Sequence, residues 1–131
     1  MRRTLLVLML VVAPAAQAEW VKVAQADDTF YYVDPATLRR EGTLRQIREV
    51  QDFAAPRPGG ARSRHALFEF DCSAGRWRVL AITDHAEPMG AGKVVGTWTG
   101  ESAWSYVAPM TGSNIPASTT NRTILRYVCS L

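Results

Sequence analysis

The chain has 131 residues, two cysteines, two histidines and a formal net charge of +3, with nearly half of its residues apolar. This length predicts one domain with one core. A charge this small gives no ground for nucleic acid or an anionic lipid surface as the main partner, and neither is expected.

Met1 to Ala18 read as an export signal. Arg2 and Arg3 form a basic start, Leu5 to Val12 an apolar run, and Ala16-Gln17-Ala18, after Pro14, the small-x-small pattern of a signal-peptidase site. The run is less than half of the roughly 20 residues needed to cross a hydrocarbon core, so a transmembrane anchor is not expected. Glu19 and Trp20 follow where a lipoprotein would carry a cysteine, so no lipid or other stable membrane anchor is expected either. The mature domain is then residues 19–131, with a formal charge of +1 once Arg2 and Arg3 are gone. The expected location is the periplasm or the secreted and cell-surface fraction.

Trp20 to Ala24 and Thr29 to Val33 are rich in β-formers and flank Asp27-Asp28, which predicts a β-hairpin. Asp34-Pro35 is expected to end its second strand, because proline has no N–H for a ladder. Ala36 to Glu41 then reads as a helical turn or a loop. From Thr43 to Phe53 the apolar residues Leu44, Ile47, Val50 and Phe53 recur every three positions, which fits neither strand nor helix cleanly. Pro56, Pro58, Gly59 and Gly60 mark a loop rimmed by Arg57, Arg62 and Arg64.

Ala66, Phe68, Phe70 and Cys72 alternate with polar or larger outward positions, predicting a strand whose inner face carries the cysteine. After the turn Ser73-Ala74-Gly75, Arg76 to Thr83 has Trp77, Val79 and Ala81 on one side and Leu80 and Ile82 on the other, as in a strand buried on both faces. His85 to Gly92 reads as a loop, Lys93 to Trp98 as a weaker strand, Trp104 to Val107 as a short extended piece and Pro109 to Pro116 as irregular. The last segment changes period: Ile124, Leu125, Val128 and Cys129 share one face at helical spacing, with Ser118 and Thr119 as N-cap candidates.

Cys72 and Cys129 allow one pairing, and an exported chain predicts that it forms. The bridge would close a loop of about 58 residues, contributing on the order of 4 kcal/mol, and would staple the C-terminal helix to the strand that ends at Cys72.

Several segments together resemble the surface-adhesin protein E-like domain family. They include Trp20-Val21-Lys22-Val23, Tyr31-Tyr32-Val33-Asp34-Pro35-Ala36-Thr37-Leu38, Gln51-Asp52-Phe53, Glu69-Phe70-Asp71-Cys72, Arg76-Trp77-Arg78-Val79-Leu80, Trp104-Ser105-Tyr106-Val107 and Tyr127-Val128-Cys129, spread in order over nearly the whole mature chain. The resemblance implies an α+β fold, an antiparallel sheet of about six strands with a C-terminal helix packed on it. It makes Thr43 to Phe53 a strand, and it implies a disulfide at Cys72 and Cys129. It also implies a binding function, adhesion to host matrix or serum proteins, with a homodimer as one form.

No motif for catalysis stands out: there is no G-x-S-x-G elbow, and His65 and His85 lack ligand spacing to the nearby carboxylates Asp71, Asp84 and Glu87. No cofactor and no metal are expected. Two groups are candidates for binding a partner. Arg57, Arg62 and Arg64 could grip an acidic protein or a sulfated glycan. Trp98 and Trp104 flank a turn, where a partly exposed pair would serve an interface. The sequence thus points to an exported, non-enzymatic binding protein of the cell envelope with an unidentified protein partner. The alternative is a soluble periplasmic maintenance or inhibitor protein acting on another bacterial component.

Overall fold

The structure is a computed structural model in which residues 11–12, 18–107 and 116–131 are described. Most of the expected signal peptide and nearly all of the irregular stretch expected at 109–116 lie outside the described residues. Seven strands form one antiparallel sheet: β1 (Val21–Ala26), β2 (Thr29–Glu41), β3 (Leu44–Phe53), β4 (Ser63–Asp71), β5 (Arg76–His85), β6 (Val94–Thr99) and β7 (Ser105–Tyr106). β1 to β6 are neighbours in chain order, and β7 shares the outer edge of β5 with β6. β6 pairs with Ala81 to His85, and β7 with Arg76 and Trp77.

The turns follow from local chemistry. Asp27, at φ 50, takes the left-handed position in the two-residue turn between β1 and β2, a conformation that aspartate tolerates better than most residues. Between β4 and β5 the Asp71 carboxylate accepts from the backbone N–H groups of Ser73 and Ala74, both at 3.2 Å, and from Arg76 Nε at 3.0 Å. That wrapped turn fixes Cys72 at the end of the central strand β4.

Among the described residues one α-helix, α1 (Pro116–Ser130), lies across one face of the sheet against β1, β3 and β4. Val33, Ile47, Ala66, Phe68 and Phe70 from the sheet meet Ile124, Leu125 and Val128 from the helix to form the core. The predicted disulfide is present: Cys72 and Cys129 are bonded, with Cα atoms 5.8 Å apart. α1 starts at Pro116, so Ser118 and Thr119 fall within its first turns rather than ahead of them. Proline suits that first position because its missing N–H would have no helical partner there.

Three expectations from the sequence need correction or resolution. β2 does not end at Pro35 but runs on to Glu41, with a register break between Asp34 and Arg39. Asp34 closes the break locally: its Oδ1 accepts from Ala36 N at 3.0 Å and its carbonyl from Thr37 Oγ1 at 2.7 Å. Thr37 Oγ1 in turn accepts from Arg48 N on β3. Pro35 therefore sits in a bulge, where a missing ladder donor costs little.

Thr43 to Phe53 is largely β3, and its period of three has a physical cause. Cross-strand partners share a face, so Ile47, opposite Phe68, points to the helix side, while Val50, opposite His65, points away. Both are fully buried. The helix covers one face, and the 3-10 turn Pro88–Gly90 covers the other, with Gly90 placed against Val50 and His65. A strand buried on alternating faces gives apolar residues at odd spacing.

β5 is not buried on both faces. Phe68 pairs with Val79 and Leu67 with Ala81, so Leu80 is an extra residue in a bulge. The bulge shifts the alternation, and it is Trp77, Val79 and Ile82 that pack on the core. The two apolar sides read from the sequence are one side interrupted by Leu80.

Candidate functional site

A polar cleft lies on the helix side of the sheet, beyond the covered core. Tyr31 on β2, Gln51 on β3 and Arg64 on β4 are successive cross-strand partners and project into it side by side. With Thr29, Phe53 and Arg57 they line a recess of about 300 Å³. Thr29, Tyr31 and Arg57 also border a neighbouring recess of about 640 Å³ that reaches the β1–β2 turn and Thr119 to Asn121 of α1.

Two of the three arginines singled out in the sequence meet here, and neither is a loosely solvated rim residue. Arg57 stacks on the Phe53 ring at 4.3 Å and donates through Nη2 to Asp28 Oδ1 at 3.2 Å and Thr29 Oγ1 at 2.8 Å. Arg64 belongs to β4 and grips Asp84 with two bonds, Nε to Oδ1 at 2.7 Å and Nη2 to Oδ2 at 3.1 Å. The bonds to Asp84 hold the Arg64 guanidinium above its ordinary pKa. Arg62 is exposed and lines neither recess.

Behind Gln51 lies Glu49, the residue that sequence reasoning missed. It stands between Val33 and Ala66 on the helix face and is 1% exposed. Its Oε1 accepts from Gln51 Nε2 at 3.0 Å, and its Oε2 has no partner. Burial pushes its carboxyl from 4.5 up to about 8, against a smaller opposing pull from the Gln51 amide. Tyr31 is also raised, by burial first and then by Glu49. The sequence signal was available: Glu49 shares strand parity with Ile47 and Phe53, so an alternating β3 places a carboxylate on the core face.

The tryptophan pair is separated. Trp98 sits on β6 opposite Ile82, on the helix side, and is 42% exposed. Trp104 is half-buried against the other face, with the guanidinium groups of Arg76 and Arg78 over its ring at 4.3 and 4.4 Å. Arg78 also bridges Glu69 and Glu101, so Trp104 is packed into a polar network. Trp98 instead shares β6 with the exposed Val94 (46%) and Val95 (39%), whereas Tyr106 (66%) on β7 pairs with Arg76 and lies on the other face.

Trp77 packs on the core as the sequence implied, whereas Trp20 lies edge-on to His65 at 5.6 Å on the opposite face. His65 Nε2 is buried without a partner. Burial lowers the pKa of His65, and repulsion of its charged form by Arg48 and by the neighbouring His85 ring lowers it further. His85 Nδ1 lies 3.4 Å from the Gly92 carbonyl oxygen. Neither histidine lines either recess of the cleft. Among the described residues no helix is long and apolar enough to cross a membrane.

A single antiparallel sheet carrying one disulfide-anchored C-terminal helix is the class of fold. Residues 20–130 match the surface-adhesin protein E family, and the chain belongs to that family. The fold is that of Haemophilus influenzae protein E. Its crystal form II is 14% identical, with a TM-score of 0.63 over 92% of this chain and 94% of that one. The selenomethionine form gives 0.61 at 14% identity over 92% and 93%, and a further protein E structure 0.60 at 14% over 92% and 91%. No curated protein matches the chain.

Proposed function

We propose that the chain is an exported, non-enzymatic binding protein of the bacterial cell envelope that engages a protein partner along the free edge of β6. In this reading residues 1–18 are removed on export and residues 19–131 form the binding domain. The observation that carries it is the composition of that edge. Exposed edge strands are normally blunted by charge or proline, because their unpaired N–H and C=O groups template further pairing. β6 reads Val-Val-Gly-Thr-Trp-Thr, with no charge and no proline, and it exposes Val94, Val95 and Trp98. An extended segment of a partner can add to such an edge through main-chain bonds, with alternate side chains meeting the exposed apolar groups. Family membership supports host matrix or serum proteins as the partner class.

The test is surface plasmon resonance of the mature chain over a panel of purified matrix and serum proteins, using wild type, Val95→Lys and Trp98→Lys. The reading expects binding that both lysines abolish without lowering the melting temperature. Binding that survives both would move the surface elsewhere. If size exclusion instead shows a dimer that Val95→Lys dissolves, the edge serves a second copy of the chain. Protease digestion on intact cells, compared with cells whose outer membrane has been opened, separates surface display from action in the periplasm. Protection until opening would favour the maintenance or inhibitor role.

A further inference from the structure

The cleft between the β1–β2 turn, β3 and β4 is separate from the β6 edge and has chemistry of its own. We propose that it is a binding site for an acidic sugar, with Arg57 and Arg64 receiving the oxyanion of a sulfate ester or a uronate carboxylate and Tyr31 lying beneath the sugar ring.

Three observations support this. First, each guanidinium is anchored on one side and open on another. Arg64 commits Nε and Nη2 to Asp84, and Arg57 commits Nη2 to Asp28 and Thr29. Nη1 of Arg64, and Nε and Nη1 of Arg57, have no acceptor among the described residues. Pre-positioned guanidinium donors with spare N–H groups are the natural receptors for planar or tetrahedral oxyanions. Anchoring reduces the side-chain entropy lost on binding.

Second, no carboxylate lines the smaller recess, where both arginines lie, although Asp27 and Asp28 border the larger one. Asp28 and Asp84 are each paired with one of the arginines. Glu49, behind Gln51, is held neutral at pH 7 by its burial. Third, hydroxyl and amide side chains recur in the remaining lining, with Thr29 and Gln51 in the smaller recess and Gln25, Thr120 and Asn121 beside Ala26 in the larger one. Such groups match a polyol that presents many donors and acceptors. The Phe53 ring is already covered by Arg57, which leaves Tyr31 as the aromatic platform.

The experiment uses the disulfide-intact mature chain and isothermal titration with four probes: a heparin hexasaccharide, an unsulfated hyaluronan hexasaccharide, inorganic sulfate and a polyglutamate peptide. Binding of one or both hexasaccharides, weakened at least about tenfold by Arg57→Gln and by Arg64→Gln and unchanged by Arg48→Gln, is the expected result. Arg48 is exposed and faces away from the cleft, opposite Leu67. Comparison of the two hexasaccharides tells sulfate from carboxylate as the recognised group. Because Arg64 also ties β4 to β5, a second measurement uses the unmodified chain: side-chain NMR signals of Arg57, Arg64 and Gln51 should shift with sugar. The proposal is overturned by the absence of hexasaccharide binding, by equal loss in Arg48→Gln, by sugar-induced shifts that avoid these three side chains, or by polyglutamate binding as tightly at the same arginines. The last outcome would make the cleft an acidic-peptide site, and binding of sulfate alone would make it an anion site without sugar recognition.

Discussion

Replacing Glu49 by glutamine should make the protein more stable as pH rises, although it removes a charged residue from a sheet. In the fold this carboxyl is raised from 4.5 to about 8 because it is buried with one oxygen unpartnered. A raised pKa means that the folded state favours the protonated form. Its contribution is full below 4.5 and is lost as pH climbs to about 8, for an upper bound of about 5 kcal/mol over that window. Glutamine has the shape of the protonated acid and can still accept from Gln51, so at pH 5 the two proteins should differ by no more than about 1 kcal/mol. Between pH 5 and 7 wild type should lose up to about 3 kcal/mol relative to Glu49→Gln. Urea unfolding followed by tryptophan fluorescence at pH 5, 6, 7 and 8 measures this, and taking the difference between the proteins cancels the other titrating groups. A difference that stays flat from pH 5 to 8 would mean that Glu49 ionises in the fold as it does in water, and the reasoning would fail.

Reducing the disulfide, or replacing both cysteines with serine, should cost about 4 kcal/mol, since it frees a loop with a sequence separation of 57; calorimetry with and without reductant checks this. Phe70→Ala removes a side chain that is 1% exposed in the centre of the core and should cost about 3–5 kcal/mol in urea unfolding. The lowered His65 pKa has the opposite sign to that of Glu49: its contribution is present above 6.5 and is lost as pH falls through the folded value. Acid should therefore loosen the Trp20 contact first, and His65→Gln should flatten the acid limb of stability; NMR titration of the His65 ring reports the pKa directly. Gly92→Ala should lower the melting temperature, because the residue has φ +78 and a Cβ would stand 2.7 Å from Glu87 Cγ.

The parts of the fold that were legible are those where one physical rule acts alone. Ala66, Phe68 and Phe70 alternate because β4 is central and covered by the helix, and two cysteines leave one pairing. Legibility failed where a second rule intervened. Pro35 breaks a ladder in general, but Asp34 and Thr37 build a bulge around it. Leu80 shifts the alternation of β5 by one, and Val50 is buried by a turn, Pro88–Gly90, that is remote in sequence. For the candidate site, the basic loop led to Arg57 and Arg64, yet their partners Asp28, in the β1–β2 turn, and Asp84, on β5, are remote in sequence and had no local signal. Trp98 and Trp104 are close in sequence but lie against opposite faces, because the chain crosses the sheet edge between them.

The Cys72–Cys129 bond also decides how the molecule bears force. Tension applied between residues 19 and 131 enters through β1, travels to Cys72, crosses to Cys129 and leaves through the last two residues. β5, β6, β7 and most of the helix hang in a closed branch that carries no direct tension. Roughly 190 Å of chain, 57 residues at about 3.4 Å each, cannot be drawn out while the bond stands. The exposed β6 edge is thus on the unloaded side of the molecule.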